Sequence, residues 1–185
     1  MKETIIDLKT RRSCRKYTDR QIDEETLNTI LEAGTYAPSG MGKQSARIVV
    51  TQNRNLITEL GRLNMSSVGR EGNGFFGAPT LIEIFADRNV HTYVHDGVLV
   101  ASNIINAAHA LGVDSCYVFR AKEMYETEEG KEYMKQWGLG EEYEGICNLV
   151  LGYRDEGGVK EPALRKADYI VRVDLYEKDV LYSWL

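Results

Sequence analysis

HTYVHDGVLVASNIINAAHAL, at residues 91–111, is the longest helical pattern in the chain. Its apolar residues recur every three or four positions, and other apolar residues occupy the adjoining angles of the helix. A helix that is apolar over so much of its circumference is predicted to be buried on several sides. Its small residues would allow close packing, either inside the subunit or against a second copy of the chain.

Shorter apolar runs on either side of this helix predict the remaining elements. Strands are predicted at residues 48–51, 80–86, 115–119, 145–153 and 169–173. Further helices are predicted at residues 4–8, 23–37, 55–63 and 123–137, the second with Asp23 as its N-cap and an end forced before Pro38. Helices and strands do not alternate strictly, so we predict an α+β fold with a single domain over residues 1–185.

Length and composition restrict the class of protein. The chain has 185 residues, of which 43% are hydrophobic, and a net charge of -5, which argues against general nucleic-acid affinity. No apolar run reaches the ~18 residues of a membrane span, and the N-terminus has no signal-peptide pattern. Three cysteines, an odd number without metal-site spacing, favour free thiols in a reducing cytoplasm. The closing residues 175–185 are apolar enough to predict docking, for example on a partner subunit.

The charge is unevenly distributed along the chain. Residues 9–20 hold six cations and one acid, a net +5, so the rest of the chain carries -10. In an extended loop alternate side chains point the same way, so Arg11, Ser13 and Arg15 can converge on one ligand. Guanidinium and hydroxyl groups suit a phosphate, with Arg165 available to close over the same anion. The alternative is a solvated basic loop.

Other reactive side chains carry weaker signals. Cys14 stands among arginines that could lower its pKa and make the thiol reactive. His91 and His95 stand four residues apart, a spacing compatible with a metal, although a surface role is the simpler interpretation. Neither a phosphate-binding glycine loop nor a catalytic triad motif is present, so side-chain nucleophilic catalysis has no support.

Five motifs in order resemble the nitroreductase family. They are RRSCRKY at residues 11–17, APSGMGKQ at 37–44, FFGAPT at 75–80, GVDSCYV leading to RAKE over 112–123, and LGY with a later RK at 151–153 and 165–166. The resemblance covers residues 4–174, nearly the whole chain. It implies a nitroreductase-like fold, with a central, mostly antiparallel sheet flanked by helices. It also implies a homodimer with FMN in two clefts at the subunit interface and a C-terminal strand, residues 169–173, exchanged between subunits.

The resemblance also implies a role for each matching residue. Arg11 and Arg165 would hold the FMN phosphate, with Arg12 and Ser13 assisting, and Arg15 would lie near the pyrimidine edge of the flavin. The loop from the other subunit would close over ring and ribityl with Pro38, Ser39, Gly40, Met41 and Gln44. Asn73 is the candidate for a hydrogen bond to the ring edge, and the backbone of Phe119 and Arg120 would face N5. No residue is assigned a catalytic role, because the flavin itself carries the chemistry.

The implied activity is a two-step, ping-pong transfer. NAD(P)H would pass a hydride to flavin N5 and leave, and a nitroaromatic, quinone or similar acceptor would then take the reducing equivalents. Three alternatives stay open: another chemistry of the same superfamily (dehalogenation, flavin fragmentation or azoline oxidation), a non-catalytic flavin-binding module, and an anion-binding interaction protein that uses residues 9–20 alone.

Overall fold

A computed structural model describes residues 1–173, and its strands form one antiparallel sheet. They are β1 (Ala46–Thr51), β2 (Thr80–Asp87), β3 (Asp114–Val118) and β4 (Tyr143–Gly152). Their order across the sheet is β1-β2-β4-β3, and every neighbouring pair is antiparallel. The predicted α+β class with a mainly antiparallel sheet is confirmed.

Local capping decides where the helices begin. They are α1 (Glu3–Thr10), α2 (Glu24–Thr35), α3 (Arg54–Ser66), α4 (Tyr93–Ala110), α5 (Ala121–Glu126) and α6 (Glu128–Gln136). Asp23 caps α2 as predicted, since its Oδ1 accepts a hydrogen bond of 2.9 Å from the Thr26 amide. The predicted helix at 123–137 is instead two helices, because Thr127 is extended and caps α6. Across residues 1–173, none of the helices combines the length and the apolar composition needed to cross a bilayer.

The sheet lies between two hydrophobic cores. On one face α2 and α4 cover alternate residues of β2 such as Ile82 and Ile84. On the other face Leu81 and Phe85 pack into a core shared with α3, α5 and α6. Successive strand residues point to opposite faces, so β2, a central strand, is apolar on both sides.

Helix α4 packs closely on the sheet and on α2 but leaves one apolar side uncovered. A Cβ on Gly97 would lie 2.8 Å from Ile146 Cγ1, and a Cβ on Gly34 would lie 2.7 Å from Ile104 Cγ1. Only glycine permits these approaches. Val94, Val98 and Leu99 point away from the sheet and are about two-fifths exposed. The predicted burial on several sides therefore holds only in part within one chain.

The predicted strand at residues 169–173 does not form in the single chain. Residues 160–173 contain neither helix nor strand, and all of their side chains are exposed. Apolar alternation alone cannot make a strand, because the backbone needs a neighbouring strand with which to pair. The predicted docking of residues 175–185 lies outside the described residues.

A buried carboxylic acid interrupts the apolar face of β2. Glu83 is 1% exposed and accepts a hydrogen bond from the Tyr125 hydroxyl of α5. Burial raises the pKa of Glu83 to about 8, although the hydrogen bond from Tyr125 opposes the shift. Glu83 forms no ion pair with any cation in residues 1–173. It is therefore mostly protonated at neutral pH.

This proton makes stability depend on pH. The unfolded carboxyl titrates near 4.5 and the folded one near 8, so between these values the unfolded state binds fewer protons. The free energy of unfolding is expected to fall by about 1.4 kcal/mol per pH unit as pH rises through that window. Glu83→Gln should remove this slope, as measured by urea unfolding at several pH values.

A matched control is available on the surface. Glu59 accepts a hydrogen bond of 3.2 Å from the Tyr133 hydroxyl, but this pair is exposed. Glu59→Gln should leave the slope as in the wild type. Equal slopes in wild type and Glu83→Gln would contradict the assignment.

Candidate functional site

The basic segment, residues 11–15, leaves the end of α1 and runs along the outer edge of β3. The Cys14 amide donates to the Ser115 carbonyl at 2.9 Å, and Ser13 forms a parallel bridge with Ser115. On its other side the Arg15 amide donates to the Gly158 carbonyl at 2.8 Å. Backbone hydrogen bonds on both sides thus hold the basic segment extended.

Alternation in this extended segment brings three polar side chains to one side. Burial raises the pKa of the Cys116 thiol, and the charges of Arg15 and Arg11 and a hydrogen bond with Ser13 all oppose that rise. All three groups therefore act on the same thiol. Cys14 points the other way, where its sulfur donates to the Lys16 carbonyl.

Three of the cations in residues 9–20 interact with other groups of the protein. Lys16 pairs with Asp155 at 3.0 Å, and the Arg20 guanidinium lies 3.9 Å from the centroid of the Tyr153 ring. Arg12 Nη1 donates to the carbonyls of Lys9 and Arg11 and so caps the end of α1.

Two guanidinium groups of the basic segment are left for a ligand. Within residues 1–173, neither Arg11 nor Arg15 forms an ion pair with a carboxylate. They are therefore free to bind an anion in the described part of the chain.

The loop at residues 38–44 is built as a rigid, exposed turn. Gly40–Gly42 form a single 3-10 turn, and Ser39 Oγ accepts a hydrogen bond of 3.0 Å from the Gln44 amide. Met41 and Gln44 have positive φ angles of 52° and 49°. The Met41 side chain is 86% exposed, so the turn presents it to solvent.

The loop and the basic segment lie at opposite ends of α4. The Gly40 amide donates to Asp96 in the first turn of α4, whereas Thr10, next to the basic segment, hydrogen-bonds to His109 in the last turn. His109 follows Asp96 by thirteen positions, which correspond to about 20 Å along a helix axis. One chain therefore does not bring the two groups of predicted site residues together.

Phe119 and Arg120 form a tight turn after β3. Arg120 has a left-handed backbone, with a φ of 78°, and the Phe119 side chain is 67% exposed. The Phe119 carbonyl accepts a hydrogen bond of 3.0 Å from Asn64 Nδ2 of α3. Asn64 is fully buried and was not among the predicted site residues. A polar residue beside Leu60 and Leu63 on the apolar side of α3 was the signal that could have identified it.

Two further residues predicted to bind the flavin lie outside both groups. Asn73 Oδ1 accepts from the Phe75 amide at 2.8 Å and its Nδ2 donates to the Thr58 carbonyl at 3.2 Å, so its amide holds the loop before β2. Arg165 is exposed in the segment without regular structure. The flavin contacts of Asn73 and Arg165 stay predictions.

The structure does not support the less favoured alternative, a reactive Cys14. Cys14 is fully buried, and burial raises the pKa of its thiol above the ordinary value instead of lowering it. The charge of Arg154 and the hydrogen bond to the Lys16 carbonyl oppose this rise without outweighing it. His91 and His95 are exposed, and residues 1–173 contain no cluster of His, Cys, Asp and Glu that could hold a metal ion.

A cavity of about 370 Å³ lies between α5, α6 and the start of β4. Its walls include Lys122, which pairs with Glu144 at 3.0 Å, and none of the predicted site residues line it. Three cations and three carboxylates line it, so this cavity offers no net charge to an anionic cofactor.

Comparison with known sequences shows the family to which the chain belongs. A family model described as the Nitroreductase family matches residues 8–76. A candidate NADH dehydrogenase/NAD(P)H nitroreductase of Archaeoglobus fulgidus is 30% identical over 163 residues, which cover 84% of this chain and 88% of that protein. The chain belongs to the nitroreductase family. It is thus a nitroreductase-family oxidoreductase, and the family resemblance seen in its motifs is confirmed.

Two other relatives extend the comparison. A protein of the same description from Methanothermobacter thermautotrophicus is 31% identical over 119 residues, which cover 62% of this chain and 60% of that protein. The crystal structure of a nitroreductase with bound FMN from Bacteroides fragilis superposes with a TM-score of 0.86 at 27% identity, covering 94% of this chain and all of the other. The described fold is therefore that of FMN-bound nitroreductases.

The burial of all three thiols predicts low reactivity. Cys14, Cys116 and Cys147 are free and buried, and burial raises the pKa of Cys147 to about 12. Native protein at pH 8 is expected to react with a thiol reagent such as DTNB on the order of a hundred-fold more slowly than protein unfolded in guanidinium. A fast phase in native protein that disappears in Cys14→Ser would contradict the inert assignment of Cys14.

Proposed function

We propose that this chain is an FMN-dependent oxidoreductase that transfers reducing equivalents from NAD(P)H to a nitroaromatic, quinone or similar acceptor. The observation that carries the proposal is the basic segment, where Arg11, Ser13 and Arg15 share one side beside Cys116. The bound FMN of the Bacteroides fragilis relative supports the choice of cofactor. The NAD(P)H in the names of the sequence relatives supports the choice of reductant.

The donors at the basic segment fit a phosphate. Guanidinium groups bind phosphate oxygens in a bidentate way, and the Ser13 hydroxyl adds a neutral donor. Two buried polar atoms at the same place, Arg12 Nε and Ser115 Oγ, have no hydrogen-bond partner in residues 1–173. Buried polar atoms are normally paired, so unpaired ones beside two free guanidinium groups favour a ligand there.

The chain's contribution is to bind, orient and supply charge. Arg11, with Arg165, would hold the phosphate, and the fixed charge of Arg15 would stabilise negative charge at the pyrimidine edge of the ring. Asn64 holds the Phe119 carbonyl and so fixes the turn whose backbone would face N5. When bound, FMN supplies the redox chemistry, taking a hydride from NAD(P)H and giving electrons to the acceptor. We propose that reductant and acceptor use the same space in turn, which gives ping-pong kinetics.

We further propose a homodimer in the cytoplasm, with the loop at residues 38–44 completing the partner's site. The separation of about 20 Å along α4 between that loop and the basic segment supports a two-chain site. Exposed apolar side chains on α1 and α4 form a face that a second copy would cover: Ile5, Ile6, Leu8, Val94, Val98 and Leu99. The exposed residues 169–173, which form no strand in the described part of the chain, would pair with a strand of the partner's sheet.

A spectroscopic experiment tests the proposed function. Purified protein mixed with FMN and gel-filtered should be yellow, and anaerobic NADH or NADPH should bleach the flavin band, with colour restored by a nitroaromatic or a quinone. Protein that stays colourless would overturn the proposal. Tight FMN that neither nicotinamide reduces would favour the non-catalytic binding module instead.

The phosphate assignment predicts a selective loss of affinity. Arg11→Ala should weaken FMN binding about ten- to a hundred-fold, because a hydrogen-bonded charge pair is lost. Binding of riboflavin, which has no phosphate, should be unchanged. Flavin fluorescence titration measures both dissociation constants.

Arg20→Ala is the matched control for this loss. It removes one of the six cations of residues 9–20, but one that lies outside the basic segment and stacks on Tyr153. FMN binding should stay near the wild-type value. Equal losses in Arg11→Ala and Arg20→Ala would indicate diffuse attraction by the cations of residues 9–20 and contradict a built phosphate site.

A further inference from the structure

Asp96 connects α4 to Gly40 within the loop at residues 38–44 and to Ser45 directly after it. Its carboxylate is 2% exposed, and Oδ1 accepts a hydrogen bond of 3.0 Å from the Gly40 amide. Oδ2 accepts one of 2.7 Å from the Ser45 hydroxyl and one of 3.2 Å from the Thr92 hydroxyl. Burial alone would raise the pKa of Asp96, but these hydrogen bonds outweigh it and hold the pKa below its ordinary value. Asp96 is therefore an anion at neutral pH.

These bonds differ from those of an ordinary helix cap. A capping side chain accepts from amides of its own helix, whereas two of the Asp96 partners lie more than fifty residues earlier in the chain. Thr92, the N-cap of α4, makes no capping hydrogen bond with its side chain and donates its hydroxyl to Asp96 instead. These hydrogen bonds thus hold the loop in place more than they cap the helix.

The loop needs such an attachment because its backbone is strained. Met41 and Gln44 are left-handed without being glycines, a conformation that persists only where surrounding contacts impose it. Gly40 packs so closely on Thr92 that a Cβ would lie 2.2 Å from Thr92 Oγ1. Ser39 Oγ holds the Gln44 amide within the loop, and Asp96 joins the loop to the rigid helix.

We propose that Asp96 is the positioning residue that fixes the loop at residues 38–44 in the shape that covers the flavin held by the partner subunit. The inference rests on the proposed function and adds to it the residue through which the loop acts. A change at Asp96 in one subunit would weaken FMN binding in the site of the other. Asp96 itself would not contact the cofactor.

Limited proteolysis tests the positioning role without any cofactor. Lys43 lies exposed in the loop, so trypsin cleavage after Lys43, followed by mass spectrometry, reports how often the loop opens. Asp96→Ala should be cleaved about ten- to a hundred-fold faster than wild type, because it leaves the Gly40 amide and a buried Ser45 hydroxyl unpaired. Asp96→Asn should be intermediate, since its Oδ1 can still accept from Gly40.

Asp23→Ala is the matched control for lost stability. It removes the N-cap of α2, at the end of that helix away from the loop, and so lowers stability without freeing the loop. Cleavage after Lys43 should stay at the wild-type rate in this variant. A wild-type rate in Asp96→Ala, or equal acceleration in Asp23→Ala, would overturn the positioning role.

Mixed dimers test whether the loop acts on the partner's site. Asp96→Ala and Arg11→Ala chains carrying different tags are co-expressed and the mixed species purified by both tags. If the loop serves the partner, one site of the mixed dimer carries both defects and the other carries none. Fluorescence titration should then give half of the sites wild-type FMN affinity, which neither homodimer has.

The outcomes separate this inference from the proposed function. Mixed dimers in which no site has wild-type FMN affinity would mean that the loop serves its own subunit. Protein that is monomeric when it binds FMN would mean the same. Either result would overturn the inference. Wild-type protein that binds no FMN would overturn the proposed function, while the proteolysis result would still report on Asp96 and the loop.

Discussion

The close contact of α4 with the sheet determines where everything else can lie. With no side chain at Gly97, the helix approaches Ile146 of β4 directly, and Gly34 brings α2 onto the same helix in the same way. Once α4 is fixed, its first turn holds Asp96 and the loop, and its last turn holds α1 and the start of the basic segment. The helix therefore acts as a rigid spacer. Its length keeps the two groups of candidate cofactor residues apart within one chain.

The two faces of the sheet differ in chemistry. The face under α2 and α4 is mostly apolar, as expected where the main task is to fix the spacer helix. The other face contains Glu83 with Tyr125, and the amides of Asn64 and Asn148, which both donate to the sulfur of Met124. These polar groups lie near the end of β3, where Asn64 also holds the Phe119 carbonyl. Buried polar groups cost stability unless they are paired, so their concentration beside one turn indicates that the geometry of that turn matters.

Most of the fold could be predicted from the sequence because its signals are local. Periodicity located α4 and the four strands, and Asp23 marked the start of α2. Arg11, Ser13 and Arg15 could be grouped because strand geometry makes alternate side chains share a side. What could not be predicted depends on contacts between distant residues. The burial of Cys14 follows from its bridge to Val159, and the role of Asn64 follows from its position under Phe119. The strand predicted at residues 169–173 does not form within the described residues 1–173, which no local pattern reveals.

The spacing imposed by α4 also has a consequence for how the holoenzyme would be maintained. A cofactor held by two chains binds the pair more tightly than either chain alone, and by thermodynamic linkage it strengthens the pair to the same extent. Separation of the two chains on dilution and loss of the cofactor then become one coupled equilibrium. The amount of protein in the cell, and not only the supply of flavin, would decide how much of it is loaded.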